Sequence, residues 1–331
     1  MPGAQERVLR RRIASVQNTK KITRAMELIA ATRVVKAQVR ANEARPYSER
    51  ITEVIQDLAA AGAEADHPLL RPIEKVEKIG VIVLAGDRGL AGAYNTNVIR
   101  AAEQEIQDAR SKGLQYSLVT VGRKAEGYFR FRNFDIDASF SGFTDRPTYE
   151  EAVAIAARVT DLFVNGGCDR IDLAYTRFIT LGTQEVVVRR FLPLESEATM
   201  ATAGDSGATA GFEFEPSANA VLESLLPRYI ESRIFAALLD AAASELANRQ
   251  RAMKSATDNA QELIIKYTRK MNQVRQEAIT TEIMEIISGA EALADDKSGP
   301  EDLLLDHLSA DPFPNVLDRR TQHSHHETPR S

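Results

Sequence analysis

Three glycines near the middle of the chain have the spacing of a loop that could hold a phosphate group. Gly86, Gly89 and Gly92 follow a short apolar run at 78–84 and precede a helical pattern at 95–111. Glycine-rich loops between a strand and a helix N-terminus bind nucleotide phosphates in α/β folds. The spacing is G-x-x-G-x-x-G, however, which matches neither the dinucleotide fingerprint nor the Walker sequence. We therefore expect a structural turn rather than a cofactor-binding site.

The other residues with catalytic or metal-binding chemistry do not form a predicted site. Four of the five histidines lie beyond residue 300, and His67 has no plausible nucleophile beside it. His323, His325 and His326 offer a metal ion only three side chains on a short polar segment. Cys168 is the only cysteine, which excludes an internal disulfide and favours a reducing compartment. We expect no catalytic, cofactor-binding or metal-binding residue in this chain.

A basic arm at the N-terminus is the second candidate for binding. Residues 1–45 carry eleven basic and three acidic side chains, an excess of eight positive charges. Such a helix can bind nucleic acid, an anionic membrane or an acidic protein, and it can also be the solvated face of a coiled coil. The whole chain has a net charge of −5, so no overall basic excess points to nucleic acid. No apolar run approaches the roughly 18 residues of a membrane span.

The two ends of the chain are predicted to be long helices. Between Pro227 and Gly289, 61 residues contain neither glycine nor proline, and an unbroken helix here would be about 90 Å long. Gly289 could cap its end. A seven-residue repeat in this segment predicts a left-handed coiled coil with a partner helix. The repeat consists of Leu239, Leu246, Met253, Ala260, Tyr267 and Val274, with Ala242, Arg249, Ala256, Leu263 and Lys270 in companion positions.

The partner helix is predicted in the basic arm. Between Gly3 and Pro46 no glycine or proline occurs, and after an interruption at Pro46 and Tyr47 the helix is expected to resume to about Ala60. Arg249 and Lys270 would be costly in a dry symmetric seam, so we expect either that their charged heads extend outward or that part of the seam meets another partner. The apolar stripe of the arm is predicted at Ile13, Val16, Ile22, Met26 and Ile29.

The middle of the chain has a strand and helix pattern. Four short runs rich in β-branched residues alternate with helical stretches near 95–111 and 148–163. Such alternation predicts a mostly parallel α/β layer structure, inserted between the terminal helices at about 75–195. The four runs are 78–84, 116–121, 171–178 and 185–191.

Four stretches of the sequence carry a resemblance to a known family. They read I-A-S-V-Q-N-T-K-K-I-T-R-A-M-E at 13–27, R-Y-I-E-S at 228–232, M-K-S-A-T-D-N at 253–259 and N-Q-V-R-Q-E-A-I-T-T-E-I-M-E-I-I-S-G-A at 272–290. In these stretches the chain resembles the gamma subunit of F-type ATP synthases. The resemblance covers about residues 3–293 and begins almost at the first residue, so we expect no import signal to be cleaved.

The resemblance implies a function and a set of partners. It implies the central rotor shaft of a proton-translocating ATP synthase, turning inside a ring of alternating alpha and beta subunits, three of each per gamma. The base of the shaft would rest on the membrane ring of c subunits and on the epsilon subunit. The chain itself would carry out no bond chemistry. The cysteine pair of chloroplast relatives is missing, which favours a peripheral protein on the cytoplasmic face of a bacterial plasma membrane.

The resemblance also implies contact residues. It places contacts with the alpha and beta ring at Met26 on the first helix and at Arg275, Gln276, Thr280 and Glu282 on the last. Because the start of one helix meets the end of the other in an antiparallel pair, we expect Met26 to lie beside Arg275 and Gln276.

A further pair, Phe214 and Glu215, is implied at the foot near the membrane ring, with Phe214 where the family has Tyr. Pro227, Gln250 and Glu277 depart from the usual family residues and put local contacts in doubt.

The predicted fold class is α/β, a long antiparallel coiled coil of the N- and C-terminal helices with an inserted Rossmann-like α/β domain. The predicted segments are helix 1–60, α/β domain 75–195, mobile loop and foot 196–216, helix 217–293, and an acidic, histidine-containing tail at 294–331 whose composition indicates disorder. The alternative function is a coiled-coil adaptor that binds nucleic acid or a membrane through the basic arm, which would show strongly salt-dependent binding.

Overall fold

The fold is taken from a computed structural model, which describes residues 4–60, 69, 75–165, 167–194, 215 and 217–295. The chain forms two compact units. We call Met1–Ala14 with Ile265–Ser331 the smaller unit and Ser15–Ile264 the larger unit.

The N-terminal helix, α1, runs from Ala4 to Ala60. The predicted interruption at Pro46 and Tyr47 is wrong, because α1 continues through both residues. A proline inside a helix leaves the carbonyl group four residues earlier without its partner. Here Pro46, Tyr47 and that earlier residue, Asn42, are all exposed, so water can satisfy the carbonyl group. The helix therefore tolerates the proline on its outer face.

The α/β domain follows α1 and is built from five strands and three helices. Its sheet has the strand order β3-β2-β1-β4-β5, with parallel pairing except between β4 and β5. The elements are β1 (Lys78–Leu84), α2 (Tyr94–Ser111), β2 (Gln115–Val121), α3 (Arg123–Phe131), β3 (Ala138–Phe140), α4 (Tyr149–Val164), β4 (Arg170–Phe178) and β5 (Gln184–Leu192).

The strands are apolar on both faces because helices cover both sides of the sheet. Val81 and Val83 of β1 pack with Ile106 of α2 on one face. Ile82 and Leu84 face the other way, into a cluster that includes side chains of α4, α1 and the C-terminal helix. This second cluster attaches the sheet to the long helices of the larger unit.

The C-terminal helix, α5, runs from Ala218 to Asp295. The Ser217 hydroxyl accepts a hydrogen bond from the Ala220 amide at 3.2 Å, as an N-cap residue does. The helix passes through Pro227, so it begins earlier than Pro227. It also passes through Gly289, which therefore is not its C-cap. Gly289 is exposed, and a glycine at such a position costs a helix only about 1 kcal/mol.

In the larger unit α1 and α5 pack antiparallel. The hydroxyl oxygens of Thr23 and Thr257 lie 2.9 Å apart, and Val34 packs in one cluster with Ala243 and Leu246. Lower numbers on α1 thus meet higher numbers on α5. The predicted fold class is confirmed: a mainly parallel α/β domain lies in the chain between two long terminal helices.

The buried face of α1 differs from the predicted apolar stripe. Ile22 and Ile29 are 61% and 54% exposed, whereas Ala30, Val34 and Ala37 are buried. Ala30, Val34 and Ala37 are spaced by four and three residues, as a coiled-coil seam requires, and their small side chains let two helices approach closely. The prediction is wrong for Ile22 and Ile29, and it missed the small residues of the buried face. Ile13, Val16 and Met26 are half-buried.

The predicted seam of α5 is inward-facing for most of its length. Its main positions are buried at Leu239, Leu246, Met253 and Ala260. Two companion positions do not face inward, because Leu263 is 41% exposed and Lys270 is exposed.

The smaller unit contains the start of α1 and the end of α5. Val8 and Leu9 line a groove of about 340 Å³ together with Lys270 and Val274. Over the ranges given above, no helix is long and apolar enough to cross a membrane. The tail from residue 296 onward and most of the predicted loop at 196–216 lie outside the described residues.

Candidate functional site

The glycine loop lies where an open α/β sheet usually binds a ligand. It follows β1, which pairs with β2 on one side and with β4 on the other, so the connections diverge at this point of the sheet. Gly122, in the turn after β2, has φ of +96°, and a Cβ atom there would strike the Ala85 carbonyl oxygen. The turns after β1 and β2 are therefore packed directly together.

Asp87 holds the loop in place. Its carboxylate accepts hydrogen bonds from the backbone amides of Gly142 at 2.8 Å, Thr144 at 3.1 Å and Arg123 at 3.1 Å, and from the Thr144 hydroxyl at 3.0 Å. Burial raises the pKa of Asp87, but these hydrogen bonds outweigh it and hold the pKa below its usual value. An ionised Asp87 thus links the loop to the segment after β3 and to the start of α3.

The other side of the loop is occupied by α5. A Cβ atom on Gly86 would lie 2.8 Å from the Glu245 carboxyl group, so the glycine is needed for this approach. Arg249 pairs with Glu245 and also points a nitrogen at the Gly89 carbonyl oxygen at 3.4 Å. The expectation that Arg249 meets another partner is therefore confirmed, since the guanidinium is buried between Glu245 and the loop.

Glu245 is one of the most buried ionisable groups in the described part of the chain. Its side chain is 1% exposed, and its Oε2 has no hydrogen-bond partner among the described residues. Burial raises its pKa, while the charge and hydrogen bond of Arg249 lower it. Because this carboxyl group lies against Gly86 and Arg249 reaches Gly89, an internal ion pair occupies the side of the loop that faces α5. The arrangement anchors the α/β domain to α5 and is unsuited to phosphate.

The predicted contact residues with the alpha and beta ring are divided between the two units. Met26 is half-buried near the Thr257 turn of α5, as the contact between Thr23 and Thr257 shows. Val274, next to Arg275, instead lines the groove with Val8 and Leu9. Met26 belongs to the larger unit, whereas Arg275 and Gln276 belong to the smaller unit, so the expectation that they lie side by side stays a prediction.

The remaining predicted contact residues are on the surface of the chain. Arg275, Gln276, Thr280 and Glu282 are all exposed, and the Thr280 hydroxyl donates to the Gln276 carbonyl oxygen within the same helix. Glu215 is exposed, and Phe214 lies outside the described residues.

An exposed apolar surface at the end of α5 escaped the sequence reasoning. Six large apolar residues in the last five turns are exposed, and exposed apolar patches mark interaction surfaces. Their position in the sequence was a signal, because they follow Lys270 and Val274, which line the groove with the start of α1. The six residues are Ile279, Ile283, Met284, Ile286, Ile287 and Leu293.

Comparison with known proteins supplies the class. A family model described as ATP synthase matches residues 5–293. The ATP synthase gamma chain of Frankia casuarinae is 49% identical over 88% of this chain and 99% of the relative. That of Kineococcus radiotolerans is 48% identical over 88% of this chain and 98% of the relative.

Solved structures share the fold. A chain from the Euglena gracilis mitochondrial ATP synthase, described as OSCP/F1/c-ring, has a TM-score of 0.64 at 16% identity, covering 90% of this chain and 97% of that one. A chain from the Tetrahymena thermophila mitochondrial ATP synthase, described as central stalk/cring, has a TM-score of 0.56 at 22% identity, covering 71% and 99%.

The paired terminal helices, the anchored α/β domain and the exposed helix end are those of a stalk subunit of a rotary ATP synthase. Within that class, the chain belongs to the ATP synthase gamma chain family. The expected role as central-stalk rotor subunit is thereby confirmed, and the adaptor alternative is not favoured.

Proposed function

We propose that this chain turns as the central shaft inside a ring of alternating alpha and beta subunits and couples proton flow to ATP synthesis. The observation that carries the proposal is the antiparallel pairing of two unbroken helices of 57 and 78 residues, α1 and α5. A shaft must transmit torque, and two helices that bury each other's seam resist bending and twisting better than one helix does.

The proposed mechanism is mechanical. The chain forms and breaks no bonds, and the reaction takes place on its partners. As the shaft turns, its asymmetric surface contacts each catalytic site in turn and favours a different conformation there. Such a population shift requires only that the contact free energy differ between the conformations.

The proposed partners are the alpha and beta subunits around the helices and the c-subunit ring and epsilon subunit at the base. The structures that share the fold are described as F1, c-ring, rotor or central stalk, which supports this set. We place the complex on the cytoplasmic face of a bacterial plasma membrane, with this chain as a peripheral subunit.

We assign the contacts with the alpha and beta ring to Met26, Arg275, Gln276, Thr280 and Glu282. The last four are exposed on α5, and Met26 keeps part of its surface open on α1.

We assign the contact with the membrane ring to Phe214 and Glu215. The domain division that goes with the proposal is 1–60 and 217–293 for the shaft, 75–195 for the α/β domain, 196–216 for the loop and foot, and 294–331 for the tail.

Co-purification tests the function. A tagged full-length chain, expressed with its natural partners, should retain alpha and beta subunits in threefold molar excess over itself. Retention of nucleic acid that is released by salt, without alpha and beta subunits, would instead favour the adaptor.

A double substitution tests the contact residues. Arg275→Ala with Gln276→Ala should lower the number of protons pumped per ATP hydrolysed. Alanine removes the side-chain contacts that link the position of the shaft to the conformation of each catalytic site. The isolated chain should keep its helicity and melting temperature. Lys112→Ala, an exposed substitution at the end of α2, is the control and should leave coupling unchanged. Normal coupling with a lowered melting temperature would assign the pair to shaft stability alone.

A further inference from the structure

A cavity of about 250 Å³ lies in the larger unit between α1, β5 and α5. Arg45 comes to it from α1, Arg189 from β5 and Arg233 from α5. Three guanidinium groups from three separate elements thus line one small space. The sites and contacts described above do not involve these three arginines.

Arg45 and Arg189 are exposed, and Arg233 is half-buried. Within the described ranges, none of them forms an ion pair. Arg189 lies over the Tyr175 ring at 5.1 Å, and Arg233 lies over the Tyr229 ring at 5.4 Å and donates to its hydroxyl at 2.8 Å. Aromatic faces attract a guanidinium but leave its positive charge uncompensated.

The charge balance of the cavity is positive. Its carboxylates are Glu49, which is exposed, and Asp240. Burial raises the pKa of Asp240 to about 6, although Arg45, Arg189 and Arg177 oppose the rise. Arg177 is itself paired with Glu185 at 2.7 Å, and the other facing groups are the phenols Tyr175 and Tyr229. Two carboxylates therefore face three guanidinium groups that form no ion pair, and Asp240 loses its charge as pH falls through about 6.

Desolvation by neighbouring groups lowers the pKa of Arg189 and the charge of Arg233 adds to this, although Tyr175 and Asp240 oppose the shift. The two guanidinium groups thus repel each other across the cavity. A bound anion would relieve this repulsion and would accept hydrogen bonds from the guanidinium groups. Planar guanidinium groups suit the oxygens of phosphate and sulfate because two parallel N–H donors match two oxygens.

The volume limits the ligand. Drug-sized ligands occupy pockets of about 300–1,000 Å³, whereas a water molecule needs only about 10–15 Å³ of such space. The cavity is too small for a nucleotide and large enough for a tetrahedral ion.

We propose that this cavity binds a small oxyanion of the phosphate or sulfate type, held by Arg45, Arg189 and Arg233. The ion ties α1, β5 and α5 together at a point where three positive charges otherwise repel one another.

Binding to the full-length chain tests the proposal. Inorganic phosphate and sulfate, titrated separately by calorimetry, should bind and should raise the melting temperature of the chain. Arg189→Gln and Arg45→Gln should each weaken binding about tenfold or more, the usual size of one lost charged hydrogen bond. Arg100→Gln, an exposed substitution on α2, should bind as the parent does. Circular dichroism shows that each variant is folded. Absence of binding, or equal binding by Arg45→Gln and the parent, overturns the proposal.

Asp240→Asn separates this site from a general surface attraction. Sulfate stays divalent between about pH 5 and pH 8, so any pH dependence belongs to the protein. The parent should bind sulfate more tightly as pH falls through about 6, because Asp240 becomes neutral. Asp240→Asn should bind tightly at both ends of the range, and a pH dependence that survives this substitution counts against the site.

Phosphatidylglycerol vesicles distinguish a lipid phosphate from a free ion. Sedimentation of the chain with vesicles that is lost in Arg189→Gln assigns the oxyanion to lipid, whereas vesicle-independent binding of phosphate assigns it to solution.

Discussion

Glu245 and Arg249 form the most buried ion pair in the part of the chain that the structure describes. The seven-residue pattern could place Arg249 in the seam, and physical chemistry could predict that it needs a partner. The pattern could not predict the loop beside it, because Gly86 and Gly89 are about 160 residues away in the chain. Only the fold of the α/β domain brings them to α5.

Substitution of Arg249 should destabilise the folded chain. Arg249→Met leaves the Glu245 carboxylate buried without its cation, so the free energy of unfolding should fall by about 3–5 kcal/mol. Denaturation by urea, followed by circular dichroism, measures it. The double variant with Glu245→Gln should recover much of the loss, and Arg269→Met, at an exposed position of α5, should change little. A loss as large in Arg269→Met would mean that helix propensity, rather than burial, is responsible.

Asp240 predicts a pH dependence of stability. Its pKa in the folded chain is about 6 against an ordinary value of 3.8, so the folded state binds the extra proton. Stability from this group is therefore present at low pH and is lost as pH rises from about 4 to 6. With about 1.4 kcal/mol per pKa unit, the loss is at most about 3 kcal/mol.

Asp240→Asn should remove this dependence. At pH 7.5 the variant should be more stable than the parent by about 1–3 kcal/mol, and the difference should shrink toward pH 4. Urea unfolding midpoints at a series of pH values provide the measurement. A variant that is less stable than the parent at pH 7.5 would show that the arginines favour the charged form of Asp240.

At the scale of elements, helix pairing was predictable in kind but not in register. Long segments without glycine or proline gave both terminal helices, and the seven-residue spacing gave the inward positions Leu246 and Met253. The spacing could not give the face of α1, because the close approach of two helices there favours Ala30 and Ala37 over the larger Ile22 and Ile29. Small residues carry little signal in an apolar pattern, so this part of the seam was lost.

Two leucines of the predicted seam differ in burial, so they test whether the sequence pattern or the observed packing determines stability. Leu246 is 2% exposed and packs with Val34, whereas Leu263 is 41% exposed. Leu246→Ala should lower the free energy of unfolding by about 2–5 kcal/mol, as cavities in cores do. Leu263→Ala should cost less than about 1 kcal/mol. Thermal melts of the two variants measure the two losses. Equal losses would mean that Leu263 is as well packed as Leu246, as the predicted seam requires.

For the whole molecule, the order of segments followed from changes of period along the sequence. Two long helical segments around a strand and helix pattern allowed few arrangements. The register within the larger unit did not follow, because the offset between α1 and α5 decides which turns meet. The prediction that Met26 lies beside Arg275 assumes that the two helices end together.

The family match ends at residue 293, and the Frankia relative is covered over 99% of its length. A chain that ends after Asp295, the last residue of α5, should therefore assemble with alpha and beta subunits as the full chain does. Gel filtration of the reconstituted complex and its rate of ATP hydrolysis are the measurements. A chain that ends after Gln276 is the matched control and should assemble poorly, because it lacks the exposed apolar end of α5. Failure of the longer truncation would make residues 296–331 part of the assembly.

The Glu245 carboxylate beside Gly86 has a consequence for how the chain responds to the cell. A group that belongs to the same chain cannot diffuse away, so it competes at an effective concentration that no metabolite easily matches. A nucleotide phosphate would have to displace a carboxyl group that is paired with Arg249 and buried beside Gly86. The loop is thereby closed to phosphate by a part of its own chain, at every nucleotide concentration.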